Sequence, residues 1–377
     1  MQFRLPTEII FDSGAIGRLP QIIKERFQAS RPLLVSDRGV EKAGHVDKLL
    51  SLFNPVDVFL EIEANPKHPT IDSLGEKARL LCPDLVVGLG GGSVLDAAKA
   101  IALLVSNPGK IENYEGREKF KMPPLPVLAI PTTCGTGSEV TWVSVITHTE
   151  RRFKMSIKGK GLFPKMAILD PDLLATLPSP LVASTGLDAL THAVEAAIVK
   201  SANRLSDLFA AEAMKLILNS LPRAYANISG DGKAREDMLF GSMLAGVAFG
   251  NADVAAVHCL SESLGALFDV PHGIANAVFL APVLEFLAPA AREKLAIMAS
   301  WAGLAKEGEE VGAALFLKRI KELKGEMAIP SLRDLGVSEA DFSEIAQRSA
   351  ANNSNPSNPR PMGEKDYFEI LSKAFQS

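Results

Sequence analysis

The first half of the chain alternates short apolar runs with segments of helical spacing. The apolar runs have the length and composition of buried parallel strands and occur at 32–37, 56–62, 84–88, 126–130 and 166–169. Helical segments between them cover 40–53, 70–81 and 94–105, with Thr70 as the N-cap of the second. Residues 3–11 are predicted to be extended, and 144–157 to form a hairpin. Strands that alternate with helices predict a parallel α/β sheet.

The character of the pattern changes near residue 178. From Ser179 onward no segment has a convincing strand pattern, and Ser179-Pro180 suits an N-cap followed by proline at the first helical position. The pattern therefore predicts an α/β domain at 1–178 and an all-helical domain at 179–377. The predicted helices of the second domain cover 180–200, 204–221, 233–250, 254–268, 289–303, 308–324, 338–349 and 364–375.

Two loops of small residues follow predicted strands. Gly90-Gly91-Gly92-Ser93 joins a strand to a helix, where backbone N–H groups and the helix N-terminus can hold an anion, with Ser93 as the N-cap. A tight turn without a ligand explains this motif alone equally well, and the G-x-G-x-x-G fingerprint is absent. The second loop, 132–138, would emerge at the same carboxyl edge of the sheet, where ligands bind. Two such loops favour a dinucleotide over a single phosphate.

Asp37 ends the strand at 32–37. A carboxylate in this position can accept hydrogen bonds from ribose hydroxyls and would repel a 2′-phosphate, which favours NAD over NADP. A solvated aspartate at the end of a strand is the alternative, and these residues alone do not decide between the two.

Four potential metal ligands lie between residues 188 and 272. Asp188 and His192 are four residues apart on a predicted amphipathic helix, so they share one face, and Glu195 lies one turn further along it. A D-x-x-x-H pair is common on helices that bind no metal. However, His192, His258 and His272 are three of the chain's six histidines, and all three fall in this apolar stretch. An unpartnered imidazole is costly in such surroundings. One carboxylate with imidazoles suits Zn²⁺ or Fe²⁺ better than Ca²⁺ or Mg²⁺.

Charge and cysteine content narrow the function classes. A net charge of -4 and a pI near 6.0 give no electrostatic basis for nucleic-acid binding. Three cysteines without a C-x-x-C motif argue against a disulfide framework and favour a cytoplasmic location. The N-terminus lacks the pattern of a signal peptide, and no apolar run reaches the roughly 18 residues of a membrane span.

Taken in order, the motifs resemble those of the iron-dependent (group III) alcohol dehydrogenase family over essentially the full length. They are G-G-G-S-V-L-D at 90–96, P-T-T-C-G-T-G-S-E-V-T at 131–141, I-L-D-P-D-L at 168–173, G-L-D-A-L-T-H-A-V-E at 186–195, and V-H-C-L-S-E-S-L-G-A-L-F-D-V-P-H-G-I-A-N-A at 257–277. The resemblance implies a dinucleotide-binding α/β domain followed by an all-helical metal-binding domain, an architecture like that of dehydroquinate synthase. It also implies an enzyme that forms homodimers or larger assemblies.

The resemblance also implies roles for individual residues. It assigns the metal, Fe²⁺ first and Zn²⁺ second, to Asp188, His192, His258 and His272. It places His272, as a metal ligand, at the catalytic centre. Glu262 is a further candidate catalytic residue of this chain. The residues that it implies for NAD are Asp37, Gly91, Gly92, Ser93, Asp96 at the opening of the next helix, Thr132, Thr133, Thr136 and Lys154. Trp142, Val143 and Phe249 match positions that border the substrate pocket.

Glu262 is a departure from the family pattern. Many members carry H-x-x-x-H starting at the third metal ligand, and the second histidine is often assigned to proton transfer, whereas this chain has His258 and Glu262. Relatives also tend to have glycine where this chain has Ala255. We expect Glu262 to take over the relay or to shift substrate preference. The alternative is that Glu262 faces solvent and that water or the ribose hydroxyls carry the proton.

The predicted function is reversible hydride transfer between a nicotinamide and a small primary alcohol or diol, or the corresponding aldehyde. Two alternatives belong to other classes. A lyase resembling dehydroquinate synthase would need additional lysines and arginines for an acidic phosphorylated substrate, and none lies near these ligands in the sequence. A non-catalytic protein that binds metal and NAD would have a site disabled by Glu262.

Overall fold

The computed structural model describes residues 2–306, 308 and 310–376. The chain divides into two compact units. The N-terminal unit consists of Leu5–Thr133 and Gly137–Leu177. The C-terminal unit consists chiefly of the chain from Pro178 onward, together with Cys134–Thr136 and the first few residues.

The N-terminal unit is built on a parallel sheet. Among the described residues it has six strands in the order β1-β9-β6-β4-β2-β3, and every neighbouring pair is parallel. A separate sheet joins β5, β8 and β7, of which β7 and β8 form an antiparallel hairpin. The strands are β1 Glu8–Phe11, β2 Pro32–Val35, β3 Val58–Phe59, β4 Leu85–Gly90, β5 Gly116–Arg117, β6 Val127–Pro131, β7 Val143–His148, β8 Phe153–Lys158 and β9 Met166–Leu169.

Burial explains why the apolar runs form the strands of this sheet. All residues of β2, β4, β6 and β9 are buried, as expected for strands covered on both faces. Two separate clusters of buried apolar side chains pack against the strands. The longer helices of the unit are α4 His68–Leu81 and α5 Gly92–Ser106, and shorter ones are α1 Leu19–Ile22, α2 Arg38–Lys42 and α3 His45–Leu50.

Several predicted boundaries in this unit were wrong. The helix at 40–53 is two helices, because Gly44 adopts a left-handed conformation with φ of 81° between α2 and α3. Helix α4 begins at His68 with Lys67 as its N-cap, not Thr70, since Pro69 fits the first turn of a helix. The Thr70 hydroxyl instead donates to Glu63 Oε1 at 2.9 Å. The predicted strand at 56–62 is reduced to the two residues of β3.

Among its described residues the C-terminal unit contains helices and no strand, which confirms the predicted fold class. Helix α6 is central: it packs against α7, α8 and α10, and nearly all of its side chains are buried. The helices are α6 Ser179–Ile198, α7 Arg204–Asn227, α8 Gly232–Gly250, α9 Ala256–Phe268, α10 His272–Trp301, α11 Gly312–Glu326, α12 Phe342–Ala350 and α13 Glu364–Gln376. The predicted helix at 308–324 includes Glu309, which lies outside the described residues.

Helix α10 differs most from the prediction, which started it at residue 289. It begins at His272 and passes through Pro282 and Pro289, and Ala291 has non-helical dihedral angles (φ −123°, ψ 15°). Proline removes a backbone donor and normally ends or kinks a helix, so the sequence pattern suggested a break. By length and composition α10 could cross a membrane, but 67% of its apolar window is buried within the protein, as for a core helix.

Candidate metal and cofactor sites

Three helices of the C-terminal unit bring four potential metal ligands together. Asp188 and His192 lie one turn apart on α6, His258 is on α9, and His272 is the first residue of α10. One ligand atom from each lies within 4.8 Å of all the others. Asp188, His192 and His258 are buried and His272 is partly buried. These four side chains could therefore hold one metal ion.

The directions of the ring nitrogens fit a shared cation. His192 Nε2 and His258 Nε2 face each other at 3.0 Å, and Asp188 Oδ1 lies 3.8 Å from both His192 Nδ1 and His272 Nε2. A neutral imidazole has one donor nitrogen and one acceptor, so two neutral rings can share only one proton at such a contact. A divalent ion accepts lone pairs from all of them. One carboxylate with three imidazoles matches the donor set of Fe²⁺ or Zn²⁺.

Burial keeps His192 neutral and ready to bind a metal. Desolvation lowers its pKa to about 4, and the attraction of Asp188 only partly opposes this. Desolvation also disfavours the charged form of His258, but the hydrogen bond and the charge of Glu195 outweigh it and raise the pKa of His258. Metal ligation through Nε2 of His258 requires that nitrogen to be unprotonated, whereas Nδ1–H can remain bonded to Glu195.

Glu195 orients the third ligand. Its carboxylate is fully buried and accepts hydrogen bonds from the backbone N–H groups of Ala255 (2.8 Å) and Val257 (2.7 Å) at the start of α9. It also lies 2.6 Å from His258 Nδ1, so the opposite nitrogen, Nε2, points to the other ligands. A carboxylate behind a metal-binding histidine fixes both the tautomer and the ring orientation. The residue one turn beyond His192 thus has the supporting position that its spacing suggested.

Asn276 is a site residue that the sequence analysis missed. It lies one turn after His272 on α10 and is fully buried. Its Nδ2 is 2.6 Å from Asp188 Oδ1, 3.2 Å from His272 Nε2 and 3.3 Å from His258 Nε2. Its Oδ1 is buried without a hydrogen bond. The four-residue spacing from His272 was the available signal, because it places the amide on the face of α10 that carries the ligand.

Two predicted residues of the C-terminal unit lie close to these ligands. Phe249 stacks on His192 with ring centroids 4.4 Å apart, so it covers one side of the cluster with apolar surface. Glu262 lies one turn after His258 on α9 and is partly exposed. Its Oε2 accepts a hydrogen bond from Asn352 Nδ2 at 2.7 Å, and its charge helps to raise the pKa of His258. Glu262 therefore has a fixed partner near the ligand set.

The glycine stretch of the N-terminal unit joins β4 to α5. Gly91 is the N-cap and Gly92 the first helical residue, so the prediction of Ser93 as the N-cap was wrong and Ser93 lies in the first turn. A Cβ on Gly91 would approach Thr133 to 3.2 Å, which shows that the backbone of one loop lies against the side chain of the other. Glycine permits this approach and leaves the helix N-terminus open to an anion.

Asp96 is engaged in a buried network. Its carboxylate accepts hydrogen bonds from Ser138 Oγ (2.6 Å) and Val145 N (2.9 Å). The fully buried Lys99, which the sequence analysis missed, donates to Ser138 Oγ (2.7 Å) and to the carbonyl of Val143 (2.9 Å). Burial lowers the pKa of Lys99 to about 8. This network ties α5 to the second loop and to β7.

The remaining predicted cofactor and pocket residues are distributed between the two units. Asp37 caps α2 through Oδ1, which accepts from Gly39 N (2.6 Å) and Val40 N (2.9 Å), and the carboxylate is partly exposed. Lys154 on β8 is buried and donates to Asn65 Oδ1 at 2.7 Å.

Trp142 lies under the guanidinium of Arg117, and the distance from Arg117 Cζ to the centre of the Trp142 ring is 4.7 Å. Thr132 and Thr133 belong to the N-terminal unit and Thr136 to the C-terminal one.

Comparison with known proteins gives a consistent family match. The profile of the iron-containing alcohol dehydrogenases matches residues 6–171, and the C-terminal profile of the Fe-containing alcohol dehydrogenase family matches 182–375. The 1,3-propanediol dehydrogenase of Citrobacter freundii is 40% identical over 99% of this chain and 98% of its own length. The NAD-dependent methanol dehydrogenase of Bacillus methanolicus is 33% identical over 99% of both chains. The crystal structure of a 1,3-propanediol oxidoreductase superposes with a TM-score of 0.94 at 37% identity and covers 99% of both chains.

Proposed function

Because the chain belongs to the iron-containing alcohol dehydrogenase family, we propose that it interconverts a short primary alcohol or diol and its aldehyde with NAD as hydride carrier. The observation that carries this proposal is the buried cluster of Asp188, His192, His258 and His272. The alternative of a lyase has no comparable support, since the relatives named above are dehydrogenases.

The four ligands would hold Fe²⁺, with Zn²⁺ as the second choice, because an Asp and three His donors suit both ions. A bound metal supplies Lewis acidity at the substrate oxygen. Glu195 holds His258 in the ligating orientation, and Asn276 holds Asp188 through its amide. Phe249 shields one face of His192 and limits the access of water. Trp142 and Val143 of the N-terminal unit are proposed to contact a small, mostly apolar substrate.

Glu262 is proposed as the group that takes up and returns the proton of the alcohol. Proton transfer of this kind requires an acidic or basic side chain at a fixed position. Asn352 fixes the carboxylate by donating to Oε2, which leaves Oε1 as the oxygen that can exchange a proton. The Glu262 position on α9, one turn from His258, supports this role over that of a freely solvated side chain.

The dinucleotide would bind to the N-terminal unit. The N-terminus of α5 at Gly91, Gly92 and Ser93 suits the pyrophosphate, because its free N–H groups and helix dipole favour anions. Asp37 can accept from a ribose hydroxyl through Oδ2 and would repel a 2′-phosphate, so NAD is proposed over NADP. Thr132, Thr133, Thr136 and Lys154 would line the nicotinamide side, and Asp96 would hold the second loop in place.

The environment of the enzyme is also proposed. A cytoplasmic location fits the free cysteines Cys82, Cys134 and Cys259, and a homo-oligomer is expected by analogy with the family. The net charge of -4 argues against a nucleic-acid partner.

Anaerobic reconstitution tests the proposal. Chelator-treated protein is loaded with Fe²⁺ or Zn²⁺, and the oxidation of NADH and of NADPH is followed with a panel of short aldehydes. We expect turnover that depends on the metal and prefers NADH. Tight binding of metal and NADH without turnover of any aldehyde would overturn the dehydrogenase in favour of a non-catalytic protein disabled by Glu262.

A further inference from the structure

Two buried histidines of the N-terminal unit meet beside a pair of carboxylates. His68 is the first residue of α4 and His148 is the last residue of β7. Their rings stack with centroids 4.3 Å apart and planes inclined by 29°. Glu150, in the turn between β7 and β8, is exposed but reaches both rings. This cluster shares no residue with the sites described above.

One carboxylate oxygen bridges the two rings. Glu150 Oε2 lies 3.2 Å from His68 Nε2 and 3.1 Å from His148 Nδ1, and one ligand atom from each of the three residues lies within 4.8 Å of the others. On the opposite side of its ring, His148 Nε2 is 3.0 Å from Glu112 Oε2. A neutral imidazole has a single N–H and cannot donate to both carboxylates. When Nε2–H of His148 donates to Glu112, its Nδ1 presents a lone pair to Glu150 Oε2 and, at 3.4 Å, accepts from Arg151 N. A metal ion between Nδ1 and Oε2 would replace this contact between two acceptors with two attractions.

The surrounding carboxylates favour a cation at this position. Asp72, on the same helix as His68, adds a carboxylate whose charge interacts with that histidine. Of the nearby cations, the Arg151 guanidinium is directed to Glu115 at 2.5 Å. The carboxylates of Glu112 and Glu150 thus converge on buried imidazoles, and burial strengthens the attraction for any cation held between them.

We propose that His68, His148 and Glu150 form a second metal site, for a divalent transition metal such as Zn²⁺. Nitrogen and carboxylate donors together suit this class of ion. His148 would ligate through Nδ1 while its Nε2–H donates to Glu112, which is the carboxylate–histidine–metal arrangement of protein metal sites. His68 would ligate through Nε2. It would then give up the long contact, 3.3 Å, in which its Nδ1 accepts from Thr149 N.

Such a site would fix the β7–β8 hairpin to the start of α4. The same junction already contains the hydrogen bond from Thr147 N to the carbonyl of Pro66 (2.8 Å) and that from Lys154 Nζ to Asn65 Oδ1 (2.7 Å). Its metal ligands come from both sides of the junction, so metal binding would stabilise this part of the N-terminal unit. The role is structural and does not depend on the proposed dehydrogenase activity.

Metal stoichiometry tests this site. Tag-free, full-length protein is dialysed against Zn²⁺, and the bound metal per chain is measured. We expect two equivalents in the wild type. In Glu150→Gln we expect one equivalent, because the second site then lacks its carboxylate ligand. Because Glu150 is exposed, this change should leave the fold intact; His148→Gln provides a second test.

Two control variants separate this site from the other one. Glu76→Gln changes an exposed glutamate elsewhere on α4 and should retain both equivalents. Asp188→Asn should weaken the other site and leave this one unchanged, so that failure of one proposal is distinguishable from failure of the other. A wild-type protein that binds one equivalent, or a Glu150→Gln variant that still binds two, would overturn the proposal.

Discussion

At the scale of single residues, the candidate metal site depends on buried polar groups that hold one another in place. Removal of a buried charge from water is expensive unless hydrogen bonds compensate for it. Glu195 meets this condition with three hydrogen bonds, two of them from backbone N–H groups at the start of α9. The same carboxylate that stabilises the helix terminus therefore also orients His258.

The candidate metal ligands could be predicted from the sequence, but the buried side chains that hold them in place could be predicted only in part. Asp188 and His192 follow from helical spacing, and His258 and His272 from the scarcity of histidine and from the family motifs. Asn276 escaped because its four-residue spacing from His272 becomes informative only once His272 is known to lie on a helix, and the sequence pattern did not predict the start of α10 there. Lys99 escaped for a similar reason, since its hydrogen-bond acceptors are 39 to 44 residues away along the chain.

The proposed relay at Glu262 can be tested by removing its proton while keeping its shape. In Glu262→Gln the side chain can still accept from Asn352, but it cannot exchange a proton. We expect kcat to fall by about 100-fold or more, with little change in KM, since general acid–base catalysis typically contributes 10²–10⁴-fold. Steady-state kinetics from pH 5 to 9 provide the measurement.

Asn352→Ala is the matched variant for this relay. It leaves the carboxylate and removes only its donor, so we expect a smaller loss of kcat than in Glu262→Gln. If Glu262→Gln retains full turnover across the pH range, water or the ribose hydroxyls carry the proton. The glutamate that stands where many family members have histidine would then not be a proton relay.

Glu139 predicts a pH dependence of stability. Burial raises the pKa of its carboxyl from 4.5 to about 7, although its own backbone N–H and Lys99 oppose the shift. Because the folded-state pKa lies above the unfolded one, folding is favoured below about pH 4.5 relative to alkaline pH, and this contribution is lost as the pH rises through 7. The full effect is on the order of 3 kcal/mol.

Glu139→Gln should remove most of that pH dependence. Denaturant unfolding at pH 5.5 and pH 8.5 would compare the variant with the wild type. We expect the variant to gain free energy of unfolding relative to the wild type at both pH values and more at pH 8.5, because the wild-type contribution is lost progressively between about pH 4.5 and pH 7. Glu76→Gln, at an exposed site, should change neither value. Equal slopes in the wild type and Glu139→Gln would mean that Lys99 fully compensates the buried carboxylate.

At the scale of elements, the sequence predicts helices and strands well where periodicity is strong and poorly where tertiary packing decides. The strand at 166–169 and the helices near 180–200 and 254–268 have the predicted type, with boundaries shifted by at most two residues. Helix α10 continues past Pro282 with α6, α9 and α11 packed along it, and it bends at Ala291, two residues after Pro289. No local pattern contains that information.

Gly273 lies where the start of α10 approaches the backbone of α6 closely enough to exclude a side chain. A Cβ at this position would lie 2.6 Å from the backbone carbonyl oxygen of Ser184, and a backbone atom cannot move aside as a side chain does. Gly273→Ala should therefore push the start of α10 outward, and with it His272, away from Asp188. We expect destabilisation of about 1–3 kcal/mol and weaker metal binding. Thermal unfolding and metal titration measure the two effects.

Gly325→Ala is the control for this substitution. A Cβ at Gly325 meets no atom within 4 Å, and the residue lies in α11. Alanine is the better helix former by about 1 kcal/mol, so this variant should be stabilised and should bind metal normally. Normal metal affinity in Gly273→Ala would show that the helices can separate without disturbing the ligands.

At the scale of the whole molecule, the two kinds of site belong to different compact units. The four ligands and their supports, Glu195 and Asn276, are all in the C-terminal unit. The glycine loop, Asp37 and Lys154 are in the N-terminal unit. Each unit therefore contains most of the residues that are proposed for one kind of site.

This division predicts that cofactor binding survives metal removal. The pyrophosphate and ribose contacts proposed for Gly91, Ser93 and Asp37 use no group of the metal cluster, so chelator-treated protein should bind NADH within a few fold of the loaded protein. Its thermal midpoint should nevertheless fall, because a metal that binds only the folded protein stabilises it and its removal takes that stabilisation away. NADH fluorescence and calorimetry of the same preparation measure both effects, and readdition of metal should restore the midpoint. Loss of NADH binding on metal removal would instead require that the metal cluster organises the cofactor site.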